Sequence, residues 1–418
     1  VDAVPRSLLD VELVERVEPG TSEEYAFRHP MIRTVAYESQ LKSDRAGMHR
    51  RLAAAVERRM SGLIGESSAL IAEHLEAAGD LREAYGWHLH AGEWATTRDK
   101  AAACRSWERA RRIADAVPDD APDHISMRIV PRKLLCANGF RAHLEIEPYF
   151  AELRELCSAA AIVGSPLAVA LATRGTARWA LGHSGWRKDL EDSVATSRGT
   201  EPWSHAMVVT YKYLGAIPNG VLLADDLALQ EIGEALRNAE RSSDDRALGL
   251  ARLTEGIALV HRDSMQDRQR GLDVLRDVCE MCEHDQYYPS DRPVANVWAA
   301  WELARRGDRE SALPRSRAAV DEMFGAGQFG HCGAATSALV QTLSARGTDG
   351  AIAEAVEAIE RLAAAPGDQG LVSREIHLVR MRALVAQARG DVSEYIDLRD
   401  RYRDMATALG FQGHIAWA

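Results

Sequence analysis

From about Arg292 to Gly410 the apolar positions recur every three or four residues, as expected of amphipathic helices with one buried stripe. Three times the pattern stops at an Arg-Gly pair and restarts at once. The junctions are Arg306-Gly307-Asp308, Arg346-Gly347-Thr348 and Arg389-Gly390-Asp391, roughly 40 residues apart. Glycine just past a helix end adopts the left-handed cap conformation. Asp or Thr behind it can cap the next helix through its side-chain oxygen. The same junction stands upstream at Ala78-Gly79-Asp80. One hairpin of this kind cannot bury both faces, so the pattern predicts an all-α solenoid of stacked helical hairpins.

The chain before residue 43 reads differently. Leu8 to Val17 alternates loosely, Pro19-Gly20 is a turn, and Glu24 to Phe27 follows as a second extended run. This predicts a short hairpin, with Pro30 opening a helix behind it. A basic amphipathic helix is expected over about Asp44–Met60. From Glu66 onward helix follows helix, with breaks at Gly139, at Gly164-Ser165-Pro166 and at Gly182 to Gly185. The expected division is a winged-helix-like remnant and linking helix over 1–62, a first helical group over 63–120, and the solenoid over 121–418. About eighteen helices are predicted, with no strand after residue 43.

Composition narrows the function classes. Hydrophobic residues make up 46% of the chain, led by alanine, and aromatics only 6%, which argues for close-packed helices over a β-sandwich. A net charge of −11 argues against a direct nucleic-acid surface. The basic stretches at Arg45–Arg59 and Arg105–Arg112 read as solvated helix faces. No apolar run reaches the ~18–20 residues of a membrane span, and no signal peptide precedes the first helix. Six scattered cysteines suit a reducing compartment, so a cytoplasmic location is expected. The chain begins at Val1 without a Met, which suggests a fragment of a longer polypeptide.

Candidate chemistry is sparse. No Ser-His-Asp, Cys-His or paired-carboxylate arrangement has supporting spacing, and no Gly-x-x-x-x-Gly-Lys-Ser/Thr loop is present. No catalysis and no metal site are expected. Cys279-x-x-Cys282 with His284 falls inside a helical pattern and reads as buried thiols on an alanine-rich face. Trp179, Trp186, Trp203, Tyr211, Tyr213, Trp298 and Trp301 concentrate aromatics in an aromatic-poor chain. They are candidates to line a ligand or partner groove, or to fill the layers between helices. Tyr287-Tyr288-Pro289 reads as a loop or lid. His29 is placed to cap the helix that starts at Met31.

Two resemblances extend these readings. Trp186, with the apolar spacing after it, and the Ala-x-x-Gly-Asp junction at Ala304 resemble tetratricopeptide repeats, which implies a right-handed superhelix. Phe27-Arg28-His29-Pro-Met-Ile-Arg33-Thr-Val-Ala-Tyr37, with Met48-His49-Arg50-Arg51-Leu52 downstream, resembles the region after the nucleotide-binding core of STAND signalling ATPases. The similarity is to the actinobacterial nucleotide cyclase-associated and LuxR-type large regulators. Ala72 to Asp80, Ala91 to Ala95 and the ending Ala408 to Ala418 resemble the same group. The resemblance implies an upstream core, in cis, that binds ATP or ADP with Mg, while this chain holds no cofactor. It implies a sensor arm that takes a protein or small-molecule ligand in its groove. It also implies that His29, supported by Arg28 and Arg33, reaches the β-phosphate of ADP. The alternative is a stand-alone helical-repeat scaffold for peptide or protein binding.

Overall fold

Residues 8–10 are helical, and two four-residue strands follow. β1 (Val14–Val17) and β2 (Glu24–Phe27) run antiparallel, with Val14 opposite Phe27 and Val17 opposite Glu24. The computed structural model describes residues 8–17, 24–59, 64–96, 98–121, 123–142, 144–159, 165–284, 291–326, 329–365 and 370–418. They fall into two units, Val1–Trp94 and Ala95–Ala418. The Tyr287-Tyr288-Pro289 loop lies outside the described residues.

In the first unit, β2 leads into α1 (Pro30–Glu38). His29 is extended, at φ −133° and ψ 132°, and its Nδ1 accepts the Met31 N–H at 3.3 Å. Pro30 sits where a helix has no use for an N–H. No residue of α1 is buried, and Met31 and Val35 stand exposed. α2 (Lys42–Arg59) then pairs with α3 (Ile64–Ala78). Arg50 on α2 grips Asp80, just past the end of α3, through two bonds of 2.6 and 2.7 Å. Gly79 turns the chain at φ +83° into α4 (Leu81–Ala95).

Among the described residues of the second unit, every regular element is a helix. It begins with α5 (Lys100–Asp115), α6 (His124–Asn138) and α7 (Glu147–Ala159). Six hairpins follow: α8 (Ser165–Leu181) with α9 (Trp186–Ser197), α10 (Pro202–Tyr213) with α11 (Asp226–Ser242), and α12 (Asp245–Val260) with α13 (Met265–Glu283). The other three are α14 (Asp291–Arg305) with α15 (Arg309–Gly325), α16 (Phe329–Arg346) with α17 (Asp349–Ala364), and α18 (Val372–Arg389) with α19 (Val392–Leu409). A short α20 (Gln412–Trp417) ends the chain.

The junctions behave as their residues dictate. Gly307, Gly347 and Gly390 take φ values of 95°, 70° and 76°. Asp308, Thr348 and Asp391 each accept a hydrogen bond from the backbone N–H three residues on. The Asp308 N–H returns to Leu303 O and the Asp391 N–H to Ala386 O, each at 3.0 Å, closing the preceding helix.

Stacking follows solenoid logic. The first helix of each hairpin touches the first helix of the next, in the row α6, α8, α10, α12, α14, α16 and α18. Alanine makes the close approach possible: Ala168, Ala172, Ala295, Ala299, Ala334 and Ala335 are almost fully buried along it. The row then closes, because α18 returns to pack on α8. A solenoid of stacked hairpins ordinarily leaves an open concave face; here the contact of α18 with α8 closes it. The inner side of the hairpins from α8 to α18 is a ring of helices.

The segment between α10 and α11 makes this closure. The helical pattern predicts a helix through Ala216, but α10 stops at Tyr213 and residues 214–222 form successive turns. Pro218 disfavours helical geometry at the residue before it, and Gly220 turns at φ +65°. Residues 216–222 are nonetheless buried. They are covered by the end of the chain: the Gln412 N–H donates to Val221 O at 3.1 Å and the His414 N–H to Gly220 O at 2.9 Å. Phe411 drives into the core beside Trp179 and Trp186, with edge-to-face ring separations of 6.5 and 6.1 Å.

Candidate functional site

The ring of helices holds a half-open cavity of about 260 Å³. Its walls come from the turns after α10, the end of α12, the middles of α14, α16 and α18, and the terminal α20. Its lining combines apolar Ile217, Leu222, Trp298 and Ala338 with polar Arg380, Ser337, Gln341 and His377.

Trp298 and Trp301 are three residues apart on α14, so both reach the same face. Their rings meet edge to face at 5.6 Å, and His261 lies against both, at 4.7 and 4.9 Å. The Arg305 guanidinium sits 4.6 Å from the Trp301 ring centre and donates to Val260 O. It also lies 3.5 Å from Glu302, a fully buried carboxylate shared with Arg268 and Arg306. Arg305 thus has an acid beside it.

Arg380 has none among the described residues. Its Nη1 donates to Ser337 Oγ at 2.6 Å, Nη2 lies 3.5 Å from Gln341 Oε1, and its guanidinium bonds the Tyr402 hydroxyl. Tyr402 is bonded in turn to His414 Nδ1 at 2.9 Å. The guanidinium lies 5.0 Å from the Trp417 ring centre. Burial lowers its pKa from the ordinary arginine value. Arginine stays charged under any ordinary condition, so a positive charge faces the cavity without a counter-ion.

The nearby histidines do not supply one. Asn219 gives its Nδ2 to Gly215 O, so its Oδ1 must accept from His377 Nε2, at 3.2 Å. His377 is therefore the Nε2–H tautomer. Burial drives its pKa down to about 3 and that of His261 to about 4. Both rings are neutral at pH 7. Gln341 is oriented by the Trp301 Nε1–H, which reaches Oε1 at 3.3 Å. Its amide N–H₂ is left as the free donor side. Asp263, exposed, is the acid along the cavity wall.

The aromatic candidates separate into two groups. Trp298 and Trp301 line the cavity. Trp179, Trp186 and Tyr213 are buried in the layer around Phe411, and Tyr211 packs against that layer. The Tyr213 hydroxyl donates to Glu231 at 2.6 Å, beside Lys212 at 2.7 Å, and burial raises its pKa. Trp203 is half-buried on α10. In the first unit, His29 acts as the cap described above, Arg28 pairs with Glu12 at 2.8 Å, and Arg33 is exposed on α1.

Burial pushes the Cys279 and Cys282 thiols up to about 12 and about 11, so both are protonated. Sequence reasoning did not reach Arg380, Gln341, His377 or Trp417. The one local signal was a terminal segment dense in ring side chains, Phe411, His414 and Trp417, which has to be buried somewhere. No helix among the described residues is long and apolar enough to cross a membrane. No protein-family model matches the chain, and no curated protein matches it.

Proposed function

We propose that the chain is the sensor arm of a STAND-type signalling ATPase. A ligand bound inside the helical ring biases an attached nucleotide-binding core between two states, and the arm itself performs no catalysis. The observation that carries this reading is the cavity. A concave space with an apolar lining and a few convergent polar groups is the usual form of a small-molecule site. At about 260 Å³ it lies just below the common range of ~300–1,000 Å³, which suits a metabolite better than a peptide. Its walls come from helices far apart in sequence, so a ligand touching α14, α16, α18 and α20 together favours one arrangement of the ring. Such a bias requires different affinities for the two states.

The first unit lends support at the other end of the argument. α1 exposes Met31 and Val35 and buries nothing, as a face meant for an attached domain would. On this reading His29, Arg28 and Arg33 face the core's nucleotide, and the output is a cyclase or DNA-binding domain elsewhere in the polypeptide.

The test is to read the gene upstream of Val1 and express the whole product. A P-loop core is expected there. Trp301→Ala, which opens the cavity wall, is expected to change ATP turnover or ADP affinity severalfold. A start codon immediately before Val1 defeats the reading and leaves a helical-repeat scaffold. So does a core whose turnover and nucleotide affinity ignore Trp301→Ala.

A further inference from the structure

The geometry points to a small organic carboxylate with a flat apolar body as the ligand of the cavity, its carboxylate held by Arg380 and its body against Ile217, Leu222, Trp298 and Ala338. This deepens the sensor reading and rests on it only for the consequence of binding, since the site stands on its own geometry.

Other cations set into this fold, from buried to partly exposed, are compensated. Arg174 has Asp189 at 2.6 Å, Arg132 has Asp115 and Glu152 at 2.9 and 2.8 Å, and Lys212 has Glu231 at 2.7 Å. Arg268, Arg305 and Arg306 share Glu302. Arg374 lacks an acid but donates to two carbonyls at the end of α17, Ala363 O and Ala365 O. That is where the helix dipole welcomes a cation. Arg380 has neither solution. It lies mid-helix, its bonds go to two hydroxyls and a distant amide oxygen, and burial disfavours its charge.

Leaving a charge uncompensated in a desolvated place costs stability. A cationic group kept in a cavity under those conditions fits an anion that arrives from outside. A guanidinium has five N–H donors. Ser337 and Tyr402 take two and Gln341 weakly engages a third, so donors remain for a bidentate contact with carboxylate. The Gln341 N–H₂ supplies a further donor alongside.

A second guanidinium is nearby: Arg305 shares the single Glu302 carboxylate with Arg268 and Arg306, and Asp263 also lines the cavity. The apolar lining asks for a body that buries hydrocarbon, and the cavity's volume limits that body to one or two rings.

The experiment uses the full 418-residue chain with benzoate and 2-naphthoate, each paired with its neutral amide, in titration calorimetry and thermal unfolding. At least one carboxylate is expected to bind about tenfold or more tighter than its amide and to raise the unfolding temperature. Arg380→Met is expected to abolish that preference. If the amides bind as well as the acids, or no carboxylate binds, or folded Arg380→Met keeps the preference, the assignment is overturned. Should Arg380→Met fail to fold, the acid–amide comparison on the native chain decides alone. The two readings fail separately. Equal binding of acid and amide overturns the carboxylate and spares the sensor arm. A carboxylate that binds through Arg380 while ATP turnover of the attached core stays fixed does the reverse.

Discussion

The outer turns of the hairpins and the inner closure between residues 214–222 and 411–417 both rely on glycine, for opposite reasons. A Cβ added at Gly307, Gly347 or Gly390 would meet nothing within 4 Å. Those glycines are there for their left-handed φ, a purely local demand. At Gly413 a Cβ would come within 2.8 Å of the Gly220 Cα, and at Gly220 within 2.7 Å of the His414 and Trp417 rings. These glycines are there so that two distant stretches of chain can touch. The repeated hairpins are therefore written in local code, and the ring is closed by a code that only the assembled fold can read.

Acid should expose the difference most strongly. His377 and His261 are held neutral inside the ring, with pKa values near 3 and 4, against about 6.5 in an unfolded chain. Their folded pKa values are depressed, so the unfolded chain takes up protons first as pH falls. Stability is full above pH 6.5 and drains away between there and pH 4. At about 1.4 kcal/mol per pH unit for each group, the loss from His377 alone approaches ~3 kcal/mol by pH 4. His377→Gln keeps a donor for Asn219 Oδ1 and removes the titration. Its denaturant midpoint should fall less over that range than the native chain's, and parallel curves would show that the inner face is not the acid-sensitive region.

Next in size is Gly413→Ala. Backbone stands in the way of the new methyl group, so the closure has to shift. A cost of about 2 kcal/mol is expected from overpacking, read in urea unfolding. Trp417, next to Arg380, should change its emission in the same variant. Gly390→Ala places a side chain at φ +76° in open space and should cost about 1–2 kcal/mol with no change in tryptophan emission. Smallest is Asp391→Ala, which removes one cap bond to the Glu394 N–H and should cost about 1 kcal/mol. An Asp391 effect as large as that of Gly413 would mean that hairpin ends and closure are not distinct in kind.

The same contrast explains what could be read from the chain. Gly followed by Asp or Thr is a turn wherever it stands, so the junctions at 307, 347 and 390 were legible. His29 as a helix cap was legible because capping reaches only two or three residues. Arg380 was not. On α18 it is one of several arginines, with Arg374, Arg382 and Arg389, and nothing beside it in sequence says that it faces inward. Trp298 and Trp301 could be paired by their spacing, but Trp179 and Trp186 looked the same until Phe411 was seen between them. The non-helical run after Tyr213 was hidden for a related reason. Its apolar residues fit a helix as well as a buried turn, and the chain end that covers it lies on the far side of the sequence.

That distance has a consequence for how the protein is made. Gly220 and Gly413 are separated by roughly 190 residues, and a ribosome adding about 5–20 residues per second needs roughly 10–40 s to cross that gap. Throughout that interval the apolar turn from Ala216 to Leu222 has been synthesised and its cover has not. A nascent chain with this architecture carries an exposed greasy strip while those roughly 190 residues are added, the kind of segment that chaperones bind, until Phe411 and the helix behind it arrive.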